Sequence, residues 1–315
     1  MATKATPQES IDTVLQMIRQ WNGQAVDEIL AVDEGQISQA FKFRQGQAWF
    51  IIRLSYGSWA YWRDRYAFET LAGPTGLPIP RVYGIGQHQG ITFAISEGLP
   101  GTTLARLPAE TVHALMGSIL NQLQGLQKAH PPDPGRFGTF GPDRAPVALD
   151  WRTGLELFFS QPMSGYWQGW HSLFNHDWFQ AKTFWPMHKR MLELAAYAPP
   201  TAYVVHGDFH CGNMLGEGQA ITGLIDWAQM LFGDWVYDVA TFQLWSPQFD
   251  LARMVLERGR DRGFDLSHFQ ERFWCSCYAV GLDALRFDAK IGDETAGRQV
   301  LEKLETMEQA SWARF

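Results

Sequence analysis

The 315-residue chain is poor in cysteine and in the features that mark secreted or membrane proteins. Cys211, Cys275 and Cys277 are too few for a disulfide framework, and the Cys-Ser-Cys spacing of the last two is not a usual metal knuckle. No apolar run approaches the roughly 18 residues of a membrane helix. The N-terminus also lacks the apolar stretch of a secretory signal, so we expect a cytoplasmic protein.

Basic residues are scarce as well. The chain has 26 Lys and Arg against 33 Asp and Glu, a net charge of −7, whereas a nucleic-acid-binding protein needs a basic face for the phosphates. The acidic balance favours a small cationic partner over nucleic acid or membrane. The sequence has no repeats, like-charge blocks or coiled-coil heptads, so it gives little support to a structural or adaptor protein.

The most informative segment that is present runs from His206 to Asn213, and Asp226 follows thirteen positions later. Transfer of a phosphoryl group to a hydroxyl needs a carboxylate that orients the hydroxyl and takes its proton. It also needs oxygen ligands for the Mg²⁺ that bridges the phosphates. Asp208 suits the first role, and Asn213 and Asp226 suit the second. The pattern predicts a kinase that uses Mg²⁺ and ATP or GTP.

Local structure makes this geometry plausible. The pattern predicts a buried strand at Tyr203-Val204-Val205, a second strand from Asn213, a turn at residues 216–219 and a returning strand from Ala220 to Ile225. Antiparallel neighbours lie about 5 Å apart, so Asp226 should return beside Asn213.

The two histidines of the segment allow another interpretation. His206 and His210 have the i, i+4 spacing of a zinc pair, but such a site expects a helix with Glu beside the first His, where Gly207 stands. We interpret His206 as structural support for the loop. His210 is left open between a structural role and contact with phosphate or acceptor.

Elsewhere the periodicity predicts an N-terminal helix, two hairpins and a mainly helical second half. A capping box at Thr6-Pro7-Gln8-Glu9 would start the first helix. Predicted helices cover residues 7–20, 61–72, 110–128 and 236–245, and predicted strands cover residues 40–43, 48–54, 81–85 and 91–95.

At this point the chain resembles a known family. His206 to Asn213, then Ile225-Asp226-Trp227, then Gly233 to Asp238 look like the aminoglycoside phosphotransferase and choline kinase superfamily, and the likeness is nearest to the hygromycin B phosphotransferases. It extends from about residue 30 to about residue 290, although residues 171–200 match poorly.

The resemblance implies an α+β, bilobal protein-kinase-like fold. Residues 1–99 would form a small N-terminal nucleotide-binding lobe with an antiparallel sheet. Residues 100–315 would form a larger, mainly helical lobe for catalysis and acceptor binding. The implied reaction is transfer of the γ-phosphate to a hydroxyl of an aminoglycoside such as hygromycin B.

The resemblance also assigns residues to the nucleotide phosphates. Arg53 stands where the family has a basic residue on the third strand, and its acidic partner should come from the following helix. Asp64 and Glu69 compete for that role. Residues five apart point about 140° apart on a helix, so the two cannot both face inward. We favour Asp64, and the alternative for either residue is a solvated helix charge.

Two further nucleotide contacts are predicted on loops. Residues 34–38, with Gly35 and Ser38, are the candidate flap over the phosphates, because small residues and backbone donors suit that role. The Pro- and Gly-rich segment after the fifth strand is the candidate hinge, where backbone groups near Glu97 and Leu99 would bind adenine.

The remaining assignments concern support and acceptor binding. By resemblance, Asp234 and Asp238 brace the catalytic loop, although Asp234 could instead cap the helix that begins at Val236. Asp283 is a candidate contact for an acceptor amine, with a structural ion pair as the alternative. The aromatic cluster between Trp151 and Trp185 could stack on sugars, but core packing explains most of its members.

Two other functions stay open. A metabolic kinase of an amino alcohol, sugar or methylthioribose-like compound would show the same motifs. An inactive kinase fold that serves as a binding module should lack one of Asp208, Asn213 or Asp226, and all three are present.

Overall fold

The computed structural model describes residues 7–32, 38–162 and 165–309. The chain divides into two compact units. One comprises Met1–Pro108 and Gly212–Gln229, and the other comprises Ala109–Cys211 and Met230–Phe315. We call them the sheet unit and the helical unit. Gly212–Gln229 groups with the first part of the chain because its hairpin pairs with a strand there, so contacts rather than chain order define the units.

The sheet unit contains a five-stranded antiparallel sheet in the order β1-β2-β3-β5-β4. Its strands are β1 (Glu28–Val32), β2 (Gln39–Gln45), β3 (Ala48–Ser55), β4 (Val82–His88) and β5 (Ile91–Glu97). Both predicted hairpins are confirmed, but their strands are longer and their turns are two residues each. Gly46 has a φ of 60°, and Gly90 has a φ of 82°, the left-handed backbone that tight hairpin turns require.

One face of this sheet packs against helix α1 (Ile11–Asn22). Val14, Met17 and Ile18 are completely buried, and their i, i+3, i+4 spacing places them on one side of the helix. They share a core with alternate residues of the strands, which point to the same face. The strand residues of this core are Phe41, Phe43, Ile52, Leu54, Ile91, Phe93 and Ile95.

The predicted start of α1 is wrong. Ser10 caps the helix, with its hydroxyl accepting the Thr13 amide at 3.2 Å. Glu9 stays extended because its amide donates to the Gln39 side chain at 2.8 Å, and Gln39 donates back to the Glu9 carbonyl at 3.0 Å. Thr6, the cap predicted from the sequence, lies outside the described residues.

Two more helical segments and a second sheet complete the sheet unit. Helix α2 (Trp59–Ala67) continues through a π-helical turn, Phe68–Ala72, into the short α3 (Gly73–Thr75), so the predicted helix over residues 61–72 is confirmed. Strands β6 (Thr102–Thr103), β9 (Met214–Glu217) and β10 (Ala220–Leu224) form a sheet in the order β10-β9-β6.

The helical unit contains the remaining helices and a small sheet. Its helices are α4 (Ala109–Lys128), α5 (Trp151–Phe158), α6 (Ala181–Leu194), α7 (Val236–Trp245), α8 (Leu251–Arg258), α9 (Phe269–Ile291) and α10 (Glu294–Gln309). Strands β7 (Gly138–Thr139), β8 (Tyr203–Val205) and β11 (Leu231–Gly233) pair in the order β7-β11-β8. An antiparallel sheet in the N-terminal part and a mainly helical C-terminal part confirm the predicted fold class. The division into lobes at residues 99 and 100 stays a prediction.

Candidate active site

The loop that carries Asp208 follows strand β8 in the helical unit. His206 is completely buried, and Gly207 has a φ of 85°, a backbone conformation that side chains disfavour. These described residues, 206–210, form bends rather than a helical turn. The helical zinc pair is therefore the wrong interpretation of His206 and His210.

Asp238, in the first turn of α7, holds the backbone of this loop. Its two carboxylate oxygens accept the amides of His206 and Gly207, each at 2.9 Å. The side chain is buried. Burial raises the pKa of Asp238 to about 7, while the two amide hydrogen bonds lower it and the negative charge of Asp208 raises it further. A buried carboxylate thus anchors the residues that precede Asp208.

Both histidines contact Asp208. The Asp208 amide donates to Nδ1 of His206 at 3.2 Å, so that nitrogen carries no proton. Nε2 of His210 lies 3.3 Å from a carboxylate oxygen of Asp208. The Asp208 side chain is about one-third exposed, which leaves it open to a substrate. The contact of His210 favours a role in orienting Asp208.

Asp234 makes different contacts from Asp238. Its carboxylate accepts the Val236 amide at 3.1 Å and forms a two-pronged ion pair with Arg272, at 2.7 and 2.8 Å. Both side chains are almost fully buried. These bonds match the alternative that Asp234 caps α7, and Arg272 is a buried partner that sequence reasoning missed. No local signal could have identified Arg272, because the pair spans 38 positions.

Asn213 and Asp226 lie in the sheet unit, at the two open ends of the β9–β10 hairpin. The Ile225 amide donates to the Asn213 carbonyl at 3.0 Å, and Met214 pairs with Leu224. The predicted hairpin is therefore confirmed, although Asn213 ends a short 3-10 turn rather than starting the strand. Amide and carboxylate oxygens are donors that Mg²⁺ prefers, and the Asp226 side chain is 45% exposed. These residues fit a magnesium ion.

Helix α2 secures the backbone after Asp226. Asp226 has a φ of 61°, a left-handed conformation that costs most residues roughly 1 kcal/mol or more. Asp64 accepts the Trp227 amide at 2.9 Å, and the Arg63 guanidinium donates to the Ala228 carbonyl at 2.5 Å. Two consecutive residues of α2 thus bind the two residues that follow Asp226. Sequence reasoning missed the role of Arg63.

Arg53 and Asp64 form the predicted ion pair between strand β3 and helix α2. The Arg53 guanidinium also lies 3.9 Å from an oxygen of Asp226. Burial would lower the pKa of Arg53, but the charges of Asp64 and Asp226 outweigh it and raise that pKa. Glu69, the competing candidate, is exposed. The partner is therefore Asp64, because only its side of the helix faces β3.

The other predicted nucleotide contacts are less defined. Gly35 lies outside the described residues, and Ser38 directly precedes β2, so the segment does join two strands. At the candidate hinge, the Glu97 amide donates to the Arg81 carbonyl at 2.8 Å and the Gly98 amide donates to the Trp49 carbonyl at 2.9 Å. These two amides are therefore already used in hydrogen bonds within the sheet unit.

Asp283 lies on α9 in the helical unit and pairs with Arg286 at 2.5 Å. Its side chain is 23% exposed. The charges of Asp283, Asp238 and Asp208 add to burial in raising the pKa of the buried Tyr237. Among the clustered aromatics, Trp151 and Trp170 are buried, as core packing predicts, whereas Tyr166 and Trp185 are exposed.

Residues 28–272 match the family described as the phosphotransferase enzyme family. The match covers well over half of the chain and includes every site residue discussed above except Asp283. The chain belongs to this family. Its catalytic-loop motif and its hairpin with Asp226 are thus set in a phosphotransferase framework.

One curated relative is hygromycin-B 4-O-kinase from Escherichia coli, which is 29% identical over 224 residues. The match covers 71% of this chain and 64% of the relative. The chain therefore spans somewhat less than two thirds of the length of that curated relative.

Solved structures of phosphotransferases have a similar fold. One is a thermostable mutant of aminoglycoside phosphotransferase APH(4)-Ia in a ternary complex with AMP-PNP and hygromycin B. It has a TM-score of 0.79 and 23% identity, and the match covers 94% of this chain and 98% of that one. Another is a proposed fructosamine-3-kinase from Thermobifida fusca, with a TM-score of 0.65 and 14% identity, and the match covers 96% of this chain and 100% of that one. At these identities the likeness shows a shared fold.

No helix in the described part of this phosphotransferase-family chain is long and apolar enough to cross a membrane. The family match ends at residue 272, so Asp283 and all but the first four residues of α9 lie beyond it.

Proposed function

We propose that this protein is a small-molecule kinase that transfers the γ-phosphate of ATP or GTP to a hydroxyl of an aminoglycoside, with hygromycin B as the first candidate. The observation that carries the proposal is the fixed arrangement around Asp226. Its backbone is held by α2, its neighbour across the hairpin is Asn213, and Arg53 approaches its carboxylate. The similarity to hygromycin-B 4-O-kinase supports the choice of acceptor.

Each residue has a distinct role in the proposed reaction. Asp208 orients the acceptor hydroxyl and takes its proton as the oxygen attacks the γ-phosphorus. Asn213 and Asp226 would hold Mg²⁺, which neutralises charge on the transferring phosphate. Arg53 contacts the nucleotide phosphates with a permanently charged, planar guanidinium. Gly35 and Ser38 would cover the phosphates, and the backbone near Glu97 and Leu99 would bind adenine.

The supporting residues keep Asp208 ready for this task. Asp238 fixes the amides before it, His206 accepts its own amide, and His210 approaches its carboxylate. A carboxylate that is contacted by His210 and carried on a backbone fixed in this way loses little freedom when the acceptor binds, which favours a reactive geometry. Asp234 supports the same region through the start of α7.

The cationic character of the acceptor follows from charge. The chain is acidic overall, and Asp208 and Asp283 in the helical unit are both partly exposed carboxylates. An aminoglycoside offers ammonium groups for such carboxylates and several hydroxyls for phosphorylation. We propose Asp283 as one contact for an acceptor amine.

The test is an assay of ADP release with Mg²⁺ and either ATP or GTP. Acceptors would include hygromycin B, other aminoglycosides, choline-like amines and simple sugars. Asp208→Asn removes the base with little change in shape and should lower kcat by about 1,000-fold. The exposed Asp143→Asn is the matched control and should keep full activity.

The outcomes separate the possible functions. Turnover of hygromycin B that disappears in Asp208→Asn would support the proposal. Turnover of a sugar or amino alcohol alone would retain the kinase and replace the acceptor with a metabolite. Near-normal turnover by Asp208→Asn would refute the role of Asp208, and nucleotide binding without turnover of any acceptor would favour a binding module.

A further inference from the structure

Arg286 is the most unusual charged residue outside the catalytic loop. It lies on α9, three positions after Asp283, and its side chain is completely buried. Burial of a cation is unfavourable unless partners compensate, because the cation loses its hydration. The contacts of Arg286 therefore need an explanation.

Four aromatic rings surround the Arg286 guanidinium. The distances from its central carbon to the ring centroids are 3.8 Å for Trp167, 5.0 Å for Phe159, 5.1 Å for Phe158 and 5.3 Å for Trp170. Cation–π attraction is strongest where water is excluded, as here. We call these four rings the aromatic cage. They exclude water from the guanidinium and limit where it can lie.

The hydrogen bonds of Arg286 point in two directions. One terminal nitrogen donates to the Phe158 carbonyl at 3.1 Å, and the other donates to a carboxylate oxygen of Asp283 at 2.5 Å. The Nε atom is buried and has no hydrogen-bond partner among the described residues. A purely structural arginine would be expected to use this donor. The aromatic cage and Asp283 therefore set the position of the guanidinium, and in that position Nε makes no hydrogen bond with the described residues.

Asp283 differs from Arg286 in exposure. Its side chain is 23% exposed although its partner is fully buried. The Arg286 end of the pair therefore lies in the interior, and the Asp283 end reaches the surface. Arg286 binds one carboxylate oxygen, and the exposed part of the group stays accessible. Burial raises the pKa of Tyr237, the charges of Asp283 and Asp208 raise it further and Arg286 lowers it, so the pair lies near the loop that carries Asp208.

A second cation on the same face of α9 restricts this surface. Lys290 lies seven positions after Asp283, with its ammonium 4.7 Å from the ring centre of Tyr166 and 5.7 Å from that of Trp167. Trp167 is thus held by two cations, Arg286 and Lys290. A cationic ligand would be repelled near Lys290 and attracted at Asp283.

We propose that Arg286 is a positioning residue for acceptor specificity. It holds the Asp283 carboxylate and the Trp167 ring so that Asp283 binds one ammonium group of an amino-sugar or aminocyclitol acceptor. This inference rests on the proposed function and adds a residue to it. Both residues lie on α9, three positions apart, beyond the family match that ends at residue 272.

The test is a double-mutant cycle of Arg286→Met and Asp283→Asn, read as steady-state kinetics with hygromycin B. Methionine fills the aromatic cage with an uncharged side chain of similar length. Each single variant should raise the KM for hygromycin B at least tenfold, with kcat within about threefold of the wild type and the KM for ATP unchanged. The double variant should be no worse than the poorer single variant, because the two residues act as one unit.

Two further variants keep the test specific. Lys303→Met removes a cation that lies over another ring, Trp245, at 4.6 Å, and it should leave the KM for hygromycin B unchanged. Arg286→Lys restores the charge without the planar, two-directional hydrogen bonding, so it should recover only part of the affinity. Thermal unfolding of each variant shows whether it is folded.

The outcomes distinguish this inference from the proposed function. If the wild type phosphorylates hygromycin B and Arg286→Met keeps the wild-type KM, the inference is refuted and the proposed function stands. Additive effects of the two single changes would refute it too, because Arg286 would then act independently of Asp283. Absence of turnover of every aminoglycoside by the wild type would overturn both.

Discussion

Asp64 connects two parts of the proposed nucleotide and metal site, so its charge can be tested directly. Its carboxylate pairs with Arg53 and accepts the amide of Trp227, the residue after Asp226. Asp64→Asn keeps an oxygen for the Trp227 amide and removes the negative charge. The substitution therefore removes the charge that pairs with Arg53 and keeps the hydrogen bond to Trp227.

The contacts set the expected magnitude. The side chains of Arg53 and Asp64 are only 19% and 6% exposed, and removal of one partner of a buried ion pair costs about 3–5 kcal/mol. Asp226 lies 3.9 Å from Arg53 and can replace part of the lost interaction. We therefore expect the free energy of unfolding to fall by about 2 kcal/mol.

The same compensation should change metal binding. When Arg53 moves toward Asp226, the guanidinium competes with Mg²⁺ for the carboxylate. A competing interaction worth about 1.4 kcal/mol raises the half-saturating Mg²⁺ concentration about tenfold.

Two measurements and one control check this prediction. Urea denaturation followed by circular dichroism gives the change in unfolding free energy, and initial rates against Mg²⁺ concentration give the metal dependence. Glu69→Gln removes an exposed charge from the same segment and should change stability by less than about 0.5 kcal/mol. If Asp64→Asn kept wild-type stability and Mg²⁺ dependence, the Arg53–Asp64–Asp226 arrangement would not act as described.

Three other predictions follow from individual contacts. Arg63→Met removes the donor to the Ala228 carbonyl, so the half-saturating Mg²⁺ concentration of the rate should rise several-fold. An unchanged half-saturating concentration would contradict the role of Arg63. Asp238→Asn turns one of two acceptors into a donor facing an amide. This variant should lower kcat about 100-fold, and a kcat equal to that of the wild type would refute the role of Asp238. Asp288 is buried, one of its carboxylate oxygens has no hydrogen-bond partner among the described residues, and burial and then Asp293 raise its pKa to about 6. The folded state therefore holds that proton more tightly than the unfolded chain, and wild-type stability should fall as pH rises from about 4 to about 6. Asp288→Asn should remove that loss, so the variant should be more stable than the wild type by about 3 kcal/mol at pH near 8 and no more stable near pH 3.5. If the variant and the wild type had equal urea midpoints at both pH values, the prediction would be wrong.

The local parts of the fold were predictable because their signals lie within a few residues. The helix over residues 110–128 and the helix over residues 236–245 have regular apolar spacing, and they are present as α4 and α7. The hairpin that brings Asp226 beside Asn213 was also predictable, since its turn and both strands lie within one short segment. The start of α1 was not, because Gln39 competes for Glu9 from 30 positions away.

The sequence by itself therefore determined the class of fold, and it predicted the kind of chemistry through Asp208, Asn213 and Asp226. Tertiary structure decided how those residues are supported. It selected Asp64 over Glu69, and it brought Arg63 to Ala228 and Asp64 to Trp227 across 165 and 163 positions. Hydrophobic periodicity sets which residues face a core, but it does not identify which distant polar group will meet a buried charge. That choice depends on how helices and strands pack, because a buried charge is stable only where packing supplies its partner.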